Sequence, residues 1–549
     1  MAEPLQWLPD GTPYSVRFGD RYHSSANAGL DQAEGVFLRG CGLPAAWAGQ
    51  AQWRILETGF GLGLNFLVTW AAWRADAQRP RLLHFVSTEA WPVSADDLLR
   101  AHAAHPQLAP LAQQLHAQFW GLLPGVHRLS FEGGRVLLTL CIGDAQTLLR
   151  QQDGAVDAVY LDGFSPQCNP DIWSLHTLKA VARWCRRGTR LATWCVARSV
   201  RDALAQCGFV VQRVPGVPPK RENLHAIYNP HWEPRRSTQT VPVLPPVTAP
   251  GRCIVIGGGL AGAATAASLA RRGWQVEVLD QADAPAAGAS ALPAGVFAPH
   301  VSPDDSVLSR LSRSGVRLVL EHARMLQAQG LLREGVDWQC SGVLEHRVDG
   351  SPGLPLDWEQ SPGADWSRRA SAETLQQAQL SADAVACWHL RAGWIRPARL
   401  VAALLAQPGI CWHGNAQVDR LQRSSDGTHW QALNARGRVL AAAERVVIAA
   451  GADSRALLGW TLRPLRGQIS WACWPADIVP MLPYPVNGHG NWVPSFPLEG
   501  TGEAPRAWVL GSTFERGVDH LPPSADEQRA AHAANWHKLQ TLLPAAAQP

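Results

Sequence analysis

Lysine is nearly absent from this 549-residue sequence and occurs only at positions 179, 220 and 538. Arginine therefore carries almost all of the positive charge. The formal net charge of +4 is far below the excess that is typical of a general nucleic-acid-binding protein. Arginine suits bidentate contacts with phosphate groups, but a preference for arginine over lysine also arises from genomic composition. The charge pattern leaves both interpretations open.

Paired cysteines and long apolar segments are also missing. The 11 cysteines are scattered without a CxxC pair, which argues against a zinc knuckle or a redox dithiol and favours reduced cytosolic thiols. We expect no metal site. The N-terminal MAEPLQWLPDG has no basic segment followed by an apolar one, so we expect no signal peptide. No apolar run approaches the roughly 20 residues of a membrane helix. We therefore expect a cytoplasmic protein that contacts no membrane.

The length of 549 residues predicts two to three folded domains. Hydrophobic residues make up 46% of the chain, which is enough to form true cores. The stretch 229–252 is rich in proline, threonine and arginine and lacks helical or strand periodicity, as expected of a stiff linker. We predict one α/β domain over 1–235, a proline-rich linker over 236–252 and a second α/β domain over 253–549.

The second domain begins with an apolar strand that enters the glycine-rich turn Gly257-x-Gly259-x-x-Gly262. Small residues follow in the next helix, and a second strand, WQVEVLD, ends on Asp280. Glycines let the backbone approach a pyrophosphate, and a carboxylate at this distance binds a ribose hydroxyl. The pattern predicts a dinucleotide-binding Rossmann unit. A tight strand-to-helix turn without a ligand is the alternative.

The first domain has a different loop, Glu57-x-Gly59-x-Gly61-x-Gly63-x-Asn65, again between a strand and a helix. A carboxylate two residues before the first glycine would repel a pyrophosphate. The same carboxylate would attract the ammonium of an amino-acid moiety, as in S-adenosylmethionine. We therefore favour S-adenosylmethionine over NAD at this loop.

Three later strands of the first domain also end on acids. Glu89 is the last residue of LLHFVSTE and is placed for ribose hydroxyls, and Asp144 follows RVLLTLCIG, placed near an adenine edge. Asp162 ends the strand Val156–Leu161, so it should lie on the same sheet edge. For Glu89 and Asp144, the alternative is a solvated acid at the end of a strand.

The segment after Asp162 predicts a stiff loop beside a reactive group. Amine methylation needs a neutral nitrogen, and a carboxylate can hold the amine and take its proton. Phe164 could line the methyl group or stack on a base, while Pro166 and Pro170 would hold the loop in one shape. The alternative is an Asp-capped turn before a helix starting near Pro170, with Trp173 in the core. Spacing alone does not separate the two.

Together these segments resemble the family of bifunctional tRNA 5-methylaminomethyl-2-thiouridine biosynthesis proteins (MnmC). The resemblance covers essentially the whole chain, and few families join these two folds in this order. The segments that carry it are ETGFGLGLNF, STEAWP, GDA, DGFSPQCNPDIW and PPKRENLHA in the first half, and GGGLAGA, GAS, GWIRPARL, VVIAAGADS and LRGQIS in the second.

The resemblance implies two successive reactions on the wobble uridine of certain tRNAs. The second domain would use FAD to oxidise a carboxymethylaminomethyl group, and hydrolysis would leave an aminomethyl group. The first domain would then methylate that amine from S-adenosylmethionine, with Asp162 as the amine-binding acid or base. The resemblance assigns Glu57, Gly59, Gly61, Gly63, Glu89 and Asp144 to the methyl donor, and Gly257, Gly259, Gly262 and Asp280 to FAD.

The resemblance also places Lys220 and Arg221 against tRNA, whereas their residue types alone fit a solvated basic turn equally well. A wobble base is already single-stranded in its loop, so moving it into a pocket costs little. We expect tRNA rather than DNA as the partner, and a monomeric enzyme.

The sequence departs from the family pattern at three points. Asn223 stands where we expect methionine, and Ala291-Leu292 follow GAS where the family typically has Gly-Asn. The glycine-rich turn and helix that usually close amine-oxidase-like flavin folds are not found after 511–517. We expect the flavin domain to be incomplete at its C-terminus.

Two other functions fit these observations. One is a tRNA aminomethyl-uridine methyltransferase whose degenerate flavin domain serves as a scaffold. The other is a flavin-dependent oxidase of small amines or amino acids with an accessory binding domain, which fold alone does not exclude.

Overall fold

The computed structural model describes residues 3–23, 28–218, 220–231, 247, 249–475, 477–498 and 505–547. Most of the predicted linker over 236–252 lies outside the described residues. The chain divides into two compact units. One comprises Met1–Ala249 with Gln360–Pro362, and the other comprises Pro250–Glu359 and Gly363–Pro549.

The first unit contains a small antiparallel sheet and a large eight-stranded sheet. The small sheet consists of β1 (Leu5–Trp7), β2 (Pro13–Ser15) and β3 (Asp20–Arg21). The large sheet consists of β4 (Gln52–Thr58), β5 (Leu82–Glu89), β6 (Gly125–Phe131), β7 (Val136–Ile142), β8 (Val156–Leu161), β9 (Cys185–Thr193), β10 (Phe209–Pro215) and β11 (Glu222–Tyr228).

Seven α-helices and several shorter helical turns surround this sheet among the described residues. The α-helices are α1 (Ala28–Gln32), α2 (Leu64–Ala75), α3 (Ala95–Ala101), α4 (Ala109–Gln118), α5 (Ala145–Arg150), α6 (Leu175–Ala182) and α7 (Arg198–Gln206). A π-helix covers Ala33–Leu38, and 3₁₀ turns cover Ala45–Trp47, His102–Ala104 and Pro106–Leu108.

The strand order of the large sheet is β10-β11-β9-β8-β4-β5-β7-β6. Strand β4 pairs in parallel with both β5 and β8, while β6 and β11 run antiparallel to their neighbours. The chain passes from β4 towards β5 and β7, and then returns on the other side of β4 as β8. The topological switch point therefore lies between β4 and β8, where open α/β sheets bind their ligands.

The central strands are buried on both faces. Every residue of β7 and of β8 is buried, as is typical of parallel strands covered by helices on each side. Large side chains such as Phe66, Trp70, Phe85 and Tyr160 fill the core on one side of the sheet. The predicted strand Val156–Leu161 is confirmed to the residue.

The second unit combines a parallel sheet with a larger mixed sheet. Its strands are β12 (Arg252–Ile256), β13 (Gln275–Leu279), β14 (Gly295–Phe297), β15 (Trp338–Gln339), β16 (Val343–His346), β17 (Ser367–Arg369), β18 (Ala386–His389), β19 (Gly393–Ile395), β20 (Ile410–His413), β21 (Arg420–Arg423), β22 (Trp430–Leu433), β23 (Val439–Ala443), β24 (Arg445–Ile448), β25 (Leu465–Arg466), β26 (Ile469–Cys473), β27 (Val486–Gly488), β28 (Gly490–Pro497), β29 (Arg506–Gly511) and β30 (Glu515–Arg516). Its α-helices are α8 (Leu260–Arg271), α9 (Val307–Ala328), α10 (Ala372–Gln377), α11 (Pro397–Leu405), α12 (Ser454–Leu458) and α13 (Ala525–Leu542).

The four-stranded parallel sheet has the order β20-β13-β12-β24, and the seven-stranded sheet has the order β17-β18-β16-β27-β28-β29-β26. Helix α13 begins with a capping box formed by Ser524 and Glu527. Its fully buried Asn535 donates to the Gln468 carbonyl at 3.0 Å and to Ser470 Oγ at 3.2 Å. The last α-helix is thereby fixed on the seven-stranded sheet. The α/β class predicted for both domains is confirmed.

Across the part of the chain that the structure describes, no helix is both long and apolar enough to cross a bilayer. Within the same residues, no group of three or more His, Cys, Asp or Glu side chains is arranged to hold a metal ion.

Candidate active site in the first unit and nucleotide site in the second

A cavity of about 790 Å³ opens at the switch point between β4 and β8. The glycine loop after β4 and the segments that follow β5, β7 and β8 line it, together with residues of 18–23, Trp194 and Lys220. The volume lies within the usual range for small-molecule and cofactor sites.

The glycine loop turns sharply beneath this cavity. Gly59, Gly61 and Gly63 all have positive φ, at 74°, 53° and 74°. The Gly59 and Phe60 amides both donate to the Thr88 carbonyl at 3.0 Å, which fixes the loop to the end of β5. Because side chains other than hydrogen disfavour this backbone region, the loop needs its glycines to follow this path.

Gly63 allows a direct test of the loop, because a Cβ there would lie 2.6 Å from the Phe60 ring. We expect Gly63→Ala to lower the free energy of unfolding by more than Gly49→Ala. Gly49 has a φ of 73°, so alanine at this position suffers the same backbone strain of roughly 1–2 kcal/mol as alanine at position 63. Nothing lies within 4 Å of the Cβ position of Gly49, however. Urea denaturation of both variants measures the cost of the contact with Phe60 as the difference between their free energies of unfolding. Equal losses of free energy would contradict this contact.

Glu57 lies beneath the cavity rather than on its surface. Its side chain is fully buried; Oε2 accepts from Ser87 Oγ at 2.6 Å and Oε1 accepts from Asn65 Nδ2 at 2.9 Å. Burial raises the pKa of Glu57 well above its usual value, and the nearby Asp162 carboxyl raises it further. Glu57 is not among the residues that line the cavity, and its hydrogen-bond partner Asn65 also contacts Asp162. Its predicted role in holding the methyl donor stays a prediction.

Asp162 lies at the floor of the cavity, immediately after β8. Asn65 Nδ2 donates to Asp162 Oδ2 at 2.9 Å, so one amide group bridges the Glu57 and Asp162 carboxyls. Asp162 Oδ1 accepts from Trp194 Nε1 at 3.0 Å and from the Gly163 amide at 2.8 Å. Burial raises the pKa of Asp162 to about 6, although these hydrogen bonds favour its charged form.

The loop after Asp162 forms an aromatic wall. The Phe164 ring stacks on Phe18 at 4.8 Å and meets Tyr22 edge-on at 4.9 Å, both centroid distances. Trp173 is buried and donates from Nε1 to the Phe164 carbonyl at 2.7 Å. Helix α6 begins at Leu175 rather than near Pro170, because Ser174 caps it by accepting from the Thr177 amide. Phe164 therefore faces the cavity on a fixed loop.

The two other predicted acids differ in their surroundings. Glu89 lines the cavity, where Oε2 accepts from the Gly61 amide at 2.8 Å and Oε1 from the Trp91 amide at 2.8 Å. Burial is the largest influence on the pKa of Glu89 and raises it. Asp144 is exposed at the rim and caps α5 by accepting from the Thr147 amide at 2.8 Å. Both lie at the predicted sheet edge, but Asp144 also has the structural role of a helix cap.

Lys220 reaches the cavity from the turn between β10 and β11. Its Nζ lies 4.7 Å from the centroid of the Trp194 ring, and the residue is otherwise exposed. Arg221 is also exposed, but it is not among the residues that line the cavity. Asn223, in place of the expected methionine, is buried in β11. The structure brings Lys220, but not Arg221, to the site.

The glycine turn of the second unit joins β12 to α8 as predicted. Gly257 has a φ of 105°, and a Cβ there would lie 2.5 Å from the Ala449 carbonyl oxygen. Gly259 precedes the first residue of α8, and Gly262 lies within it against the Gly257 carbonyl. Ser290 of the GAS segment accepts from the Leu260 amide at 3.0 Å. The turn, the start of the helix and the GAS segment form one continuous surface.

Asp280 follows β13 at the carboxyl edge of the parallel sheet. Its Oδ2 accepts from the Gly258 amide at 2.6 Å, and its Oδ1 accepts from the Ala282 amide at 2.8 Å. The carboxylate therefore lies beside the glycine turn, as the strand spacing predicts. Ala291 and Leu292, which replace the expected Gly-Asn, are both exposed.

Comparison with known proteins agrees with this geometry. A family described as S-adenosyl-L-methionine-dependent methyltransferase matches residues 106–229, and one described as FAD dependent oxidoreductase matches residues 252–549. The tRNA 5-methylaminomethyl-2-thiouridine biosynthesis bifunctional protein MnmC of Paracidovorax citrulli (strain AAC00-1) is 62% identical over 100% of this chain and 86% of its own length. The chain belongs to the MnmC family.

A second MnmC relative, from Delftia acidovorans (strain DSM 14801 / SPH-1), is also 62% identical over 100% of this chain and 86% of its own length. Among solved structures, glycine oxidase from Geobacillus kaustophilus is 22% identical and covers 53% of this chain and 78% of its own, with a TM-score of 0.41. The predicted order of the two domains, a methyltransferase followed by an FAD-dependent oxidoreductase, is confirmed.

The residues present in this MnmC chain fit both cofactors. In the first unit, the cavity has the size of a cofactor site. Gly59 has a φ of 74° beside it, and a Cβ there would lie 3.3 Å from the Asp162 carbonyl oxygen, so glycine suits this close turn. In the second unit, Gly257, Gly259 and Asp280 converge at the start of α8, where amide groups and the helix dipole favour a phosphate. S-adenosylmethionine and FAD are the cofactors of the two domains.

Two residues that hold Asp162 in place lie outside the predicted set of site residues. Asn65 belongs to the glycine motif but has no predicted role, and Trp194 is part of no predicted motif. Trp194 directly follows β9, on the same sheet edge as the predicted acids. Applying the strand-end rule to β9 would have found it.

Proposed function

We propose that this MnmC chain completes 5-methylaminomethyl-2-thiouridine at the wobble uridine of tRNA in two steps. The second unit oxidises the C–N bond of a carboxymethylaminomethyl group, and water releases the carboxymethyl carbons to leave an aminomethyl group. The first unit then methylates that amine. The position of Asp162 carries the proposal, because a carboxyl with a pKa of about 6 lies on the floor of a cofactor-sized cavity.

The residues of the first unit have separable tasks in methyl transfer. The substrate nitrogen needs a free lone pair, and Asp162 as a carboxylate accepts an N–H of the neutral amine. The nitrogen forms a bond to the methyl carbon as the sulfonium S–C bond breaks and its electron pair returns to sulfur. Asp162 then accepts the proton that the new ammonium must lose. The roles of Glu89 and Asp144 in holding the methyl donor, and of Phe164 against the base, belong to this proposal.

The second unit supplies the nucleotide-binding surface for the oxidation. Bound FAD supplies a two-electron acceptor for the carbon next to the amine nitrogen. Gly257 forms the tight turn, and Gly259 would let the backbone pass close to the pyrophosphate. Gly262 lets α8 pack closely on the turn, and Asp280 would accept from a ribose hydroxyl.

The tRNA partner, the cytoplasmic location and the monomeric state complete the proposal. Lys220 at the cavity rim supports a phosphate-bearing substrate, and a splayed wobble base suits a cavity with the Phe164 wall. We place Arg221 with the tRNA because it is exposed on the same turn. Light scattering of the purified chain tests the monomer, and a dimer would contradict it.

Mass spectrometry of tRNA nucleosides tests the function. The chain is expressed in a host that lacks its own enzyme for these steps. We expect 5-methylaminomethyl-2-thiouridine to replace the carboxymethylaminomethyl precursor. If the precursor persists but supplied aminomethyl tRNA is methylated, the chain is a methyltransferase with an inactive flavin unit. If neither substrate changes, the proposal is wrong.

We expect the rate of methyl transfer to increase as pH rises through about 6. The reaction needs the Asp162 carboxylate, and burial raises the pKa of this group to about 6, so its protonated form dominates below that pH. Single-turnover rates between pH 5 and 9, with saturating methyl donor, measure the profile. A rate that is flat between pH 5 and 7 would contradict the role of Asp162.

A further inference from the structure

Trp194 joins three parts of the first unit at the floor of the cavity. Its indole N–H donates to Asp162 Oδ1 at 3.0 Å. Lys220 Nζ lies over its ring, 4.7 Å from the centroid. The Trp173 ring meets it edge-on at a centroid distance of 5.8 Å. A half-buried indole held on two sides by other side chains has little freedom to rotate, so its N–H has a fixed direction.

The hydrogen bonds to Asp162 determine what its carboxylate can still bind. An ionised carboxylate has about four acceptor sites. Among the described residues, three donors reach it: Trp194 Nε1 and the Gly163 amide at Oδ1, and Asn65 Nδ2 at Oδ2. Oδ1 is therefore filled, and one acceptor site is left on Oδ2.

One vacant acceptor site suits an amine that must keep its lone pair free. An amine that donates one N–H to Oδ2 is held at a defined angle and can direct its lone pair towards the methyl group. If Trp194 did not fill Oδ1, the carboxylate could rotate or bind the amine through either oxygen. The bound amine would then adopt several orientations, only some of which lead to reaction.

We propose that Trp194 is a positioning residue for methyl transfer, which fills Asp162 Oδ1 so that only Oδ2 receives the substrate amine. This inference rests on the proposed methylation of a tRNA aminomethyl group. Trp194 acts through Asp162 and does not itself exchange a proton.

Replacement of Trp194 by phenylalanine tests this role, because Trp194→Phe keeps an aromatic ring but removes the N–H. We expect the single-turnover rate of methylation of aminomethyl tRNA to fall about 10-fold to 100-fold, the effect of one hydrogen bond to a charged group. We expect the dissociation constant of S-adenosylmethionine to stay within about twofold of wild type, since Trp194 donates to Asp162 and not to the glycine loop.

The pH profile separates positioning from a general structural role. Loss of a donor disfavours the charged form of Asp162, so the rise in rate should move to higher pH by about one unit. The other ionisable groups around the cavity are unchanged in the variant. They are Asp20, Arg21, Tyr22, His23, Glu57, Glu89, Asp144, Asp171 and Lys220.

Trp53→Phe is the matched control. Trp53 is buried in β4, and its Nε1 has no hydrogen-bond partner among the described residues. The Trp53→Phe substitution should leave both the methylation rate and its pH profile unchanged. If Trp194→Phe does not fold, β-(3-benzothienyl)alanine at position 194 keeps the shape of the ring with sulfur in place of N–H. The same rate loss and pH shift are expected.

The outcomes separate this inference from the proposed function. If wild type methylates aminomethyl tRNA and the position-194 variants match it in rate and pH profile, the positioning role is wrong. A lower rate without a pH shift would also overturn it, since that result indicates a packing defect. If wild type does not methylate this tRNA, the proposed function fails and this inference fails with it.

Discussion

Replacement of Asp162 by asparagine is expected to lower the single-turnover rate of tRNA methylation by about 10²-fold to 10⁴-fold, the usual contribution of a general base. Asparagine can still accept at one oxygen from Trp194 and the Gly163 amide. Its amide nitrogen, however, would face the Asn65 amide, and two donors cannot bond each other. The variant can neither accept the amine N–H at that position nor take its proton.

Calorimetric titration with S-adenosylmethionine accompanies this rate measurement. The donor should bind Asp162→Asn nearly as well as wild type, because Asp162 faces the reacting amine in the proposed complex. Asp153→Asn is the control, since that side chain is fully exposed. An Asp162→Asn enzyme with the wild-type rate and intact donor binding would remove Asp162 from the mechanism.

Replacement of Gly257 by alanine is expected to abolish most flavin binding by the second unit. The residue has a φ of 105°, and the added Cβ would lie 2.5 Å from the Ala449 carbonyl oxygen, which belongs to rigid backbone after β24. The strain and the contact should together cost about 2 kcal/mol or more of stability. The shifted turn would also no longer follow the pyrophosphate.

The absorbance ratio of flavin to protein after saturation with FAD and gel filtration measures this effect. Gly315→Ala is the matched control, because Gly315 lies within α9 and nothing is within 4 Å of its Cβ position. That change should raise stability by about 0.5–1 kcal/mol and leave the flavin content unchanged. A Gly257→Ala protein with wild-type flavin content would contradict the assigned site.

Local patterns in the sequence were sufficient to predict the backbone conformation of both glycine loops. Strand, glycine turn and helix follow one another within about 20 residues in each unit, so spacing predicted the loops at Gly59 and Gly257. The rule that parallel strands share an edge also placed Glu89 and Asp162 correctly. Asp144 shows a limit of that rule, since an acid at the end of a strand can also cap the next helix. Asp144 does so by accepting a hydrogen bond from the Thr147 amide.

Side-chain contacts between distant segments could not be predicted in the same way. Whether Glu57 faces the cavity or the core depends on Ser87 and Asn65, which approach it from another strand and from α2. The bond from Trp194 to Asp162 depends on the pairing of β8 with β9. Such contacts depend on tertiary packing, for which a single sequence offers no periodic signal.

The pairing of β4 with β8 has a consequence for how the first unit matures. Asn65 and Asp162 are 97 positions apart in the chain and meet only after these two strands are joined. A nascent chain that has been synthesised only as far as the glycine loop contains Asn65 but not Asp162, so the floor of the cavity is incomplete. A methyl donor that binds only the completed sheet would stabilise the folded first unit by mass action. Saturating S-adenosylmethionine should therefore raise the resistance of the first unit to unfolding.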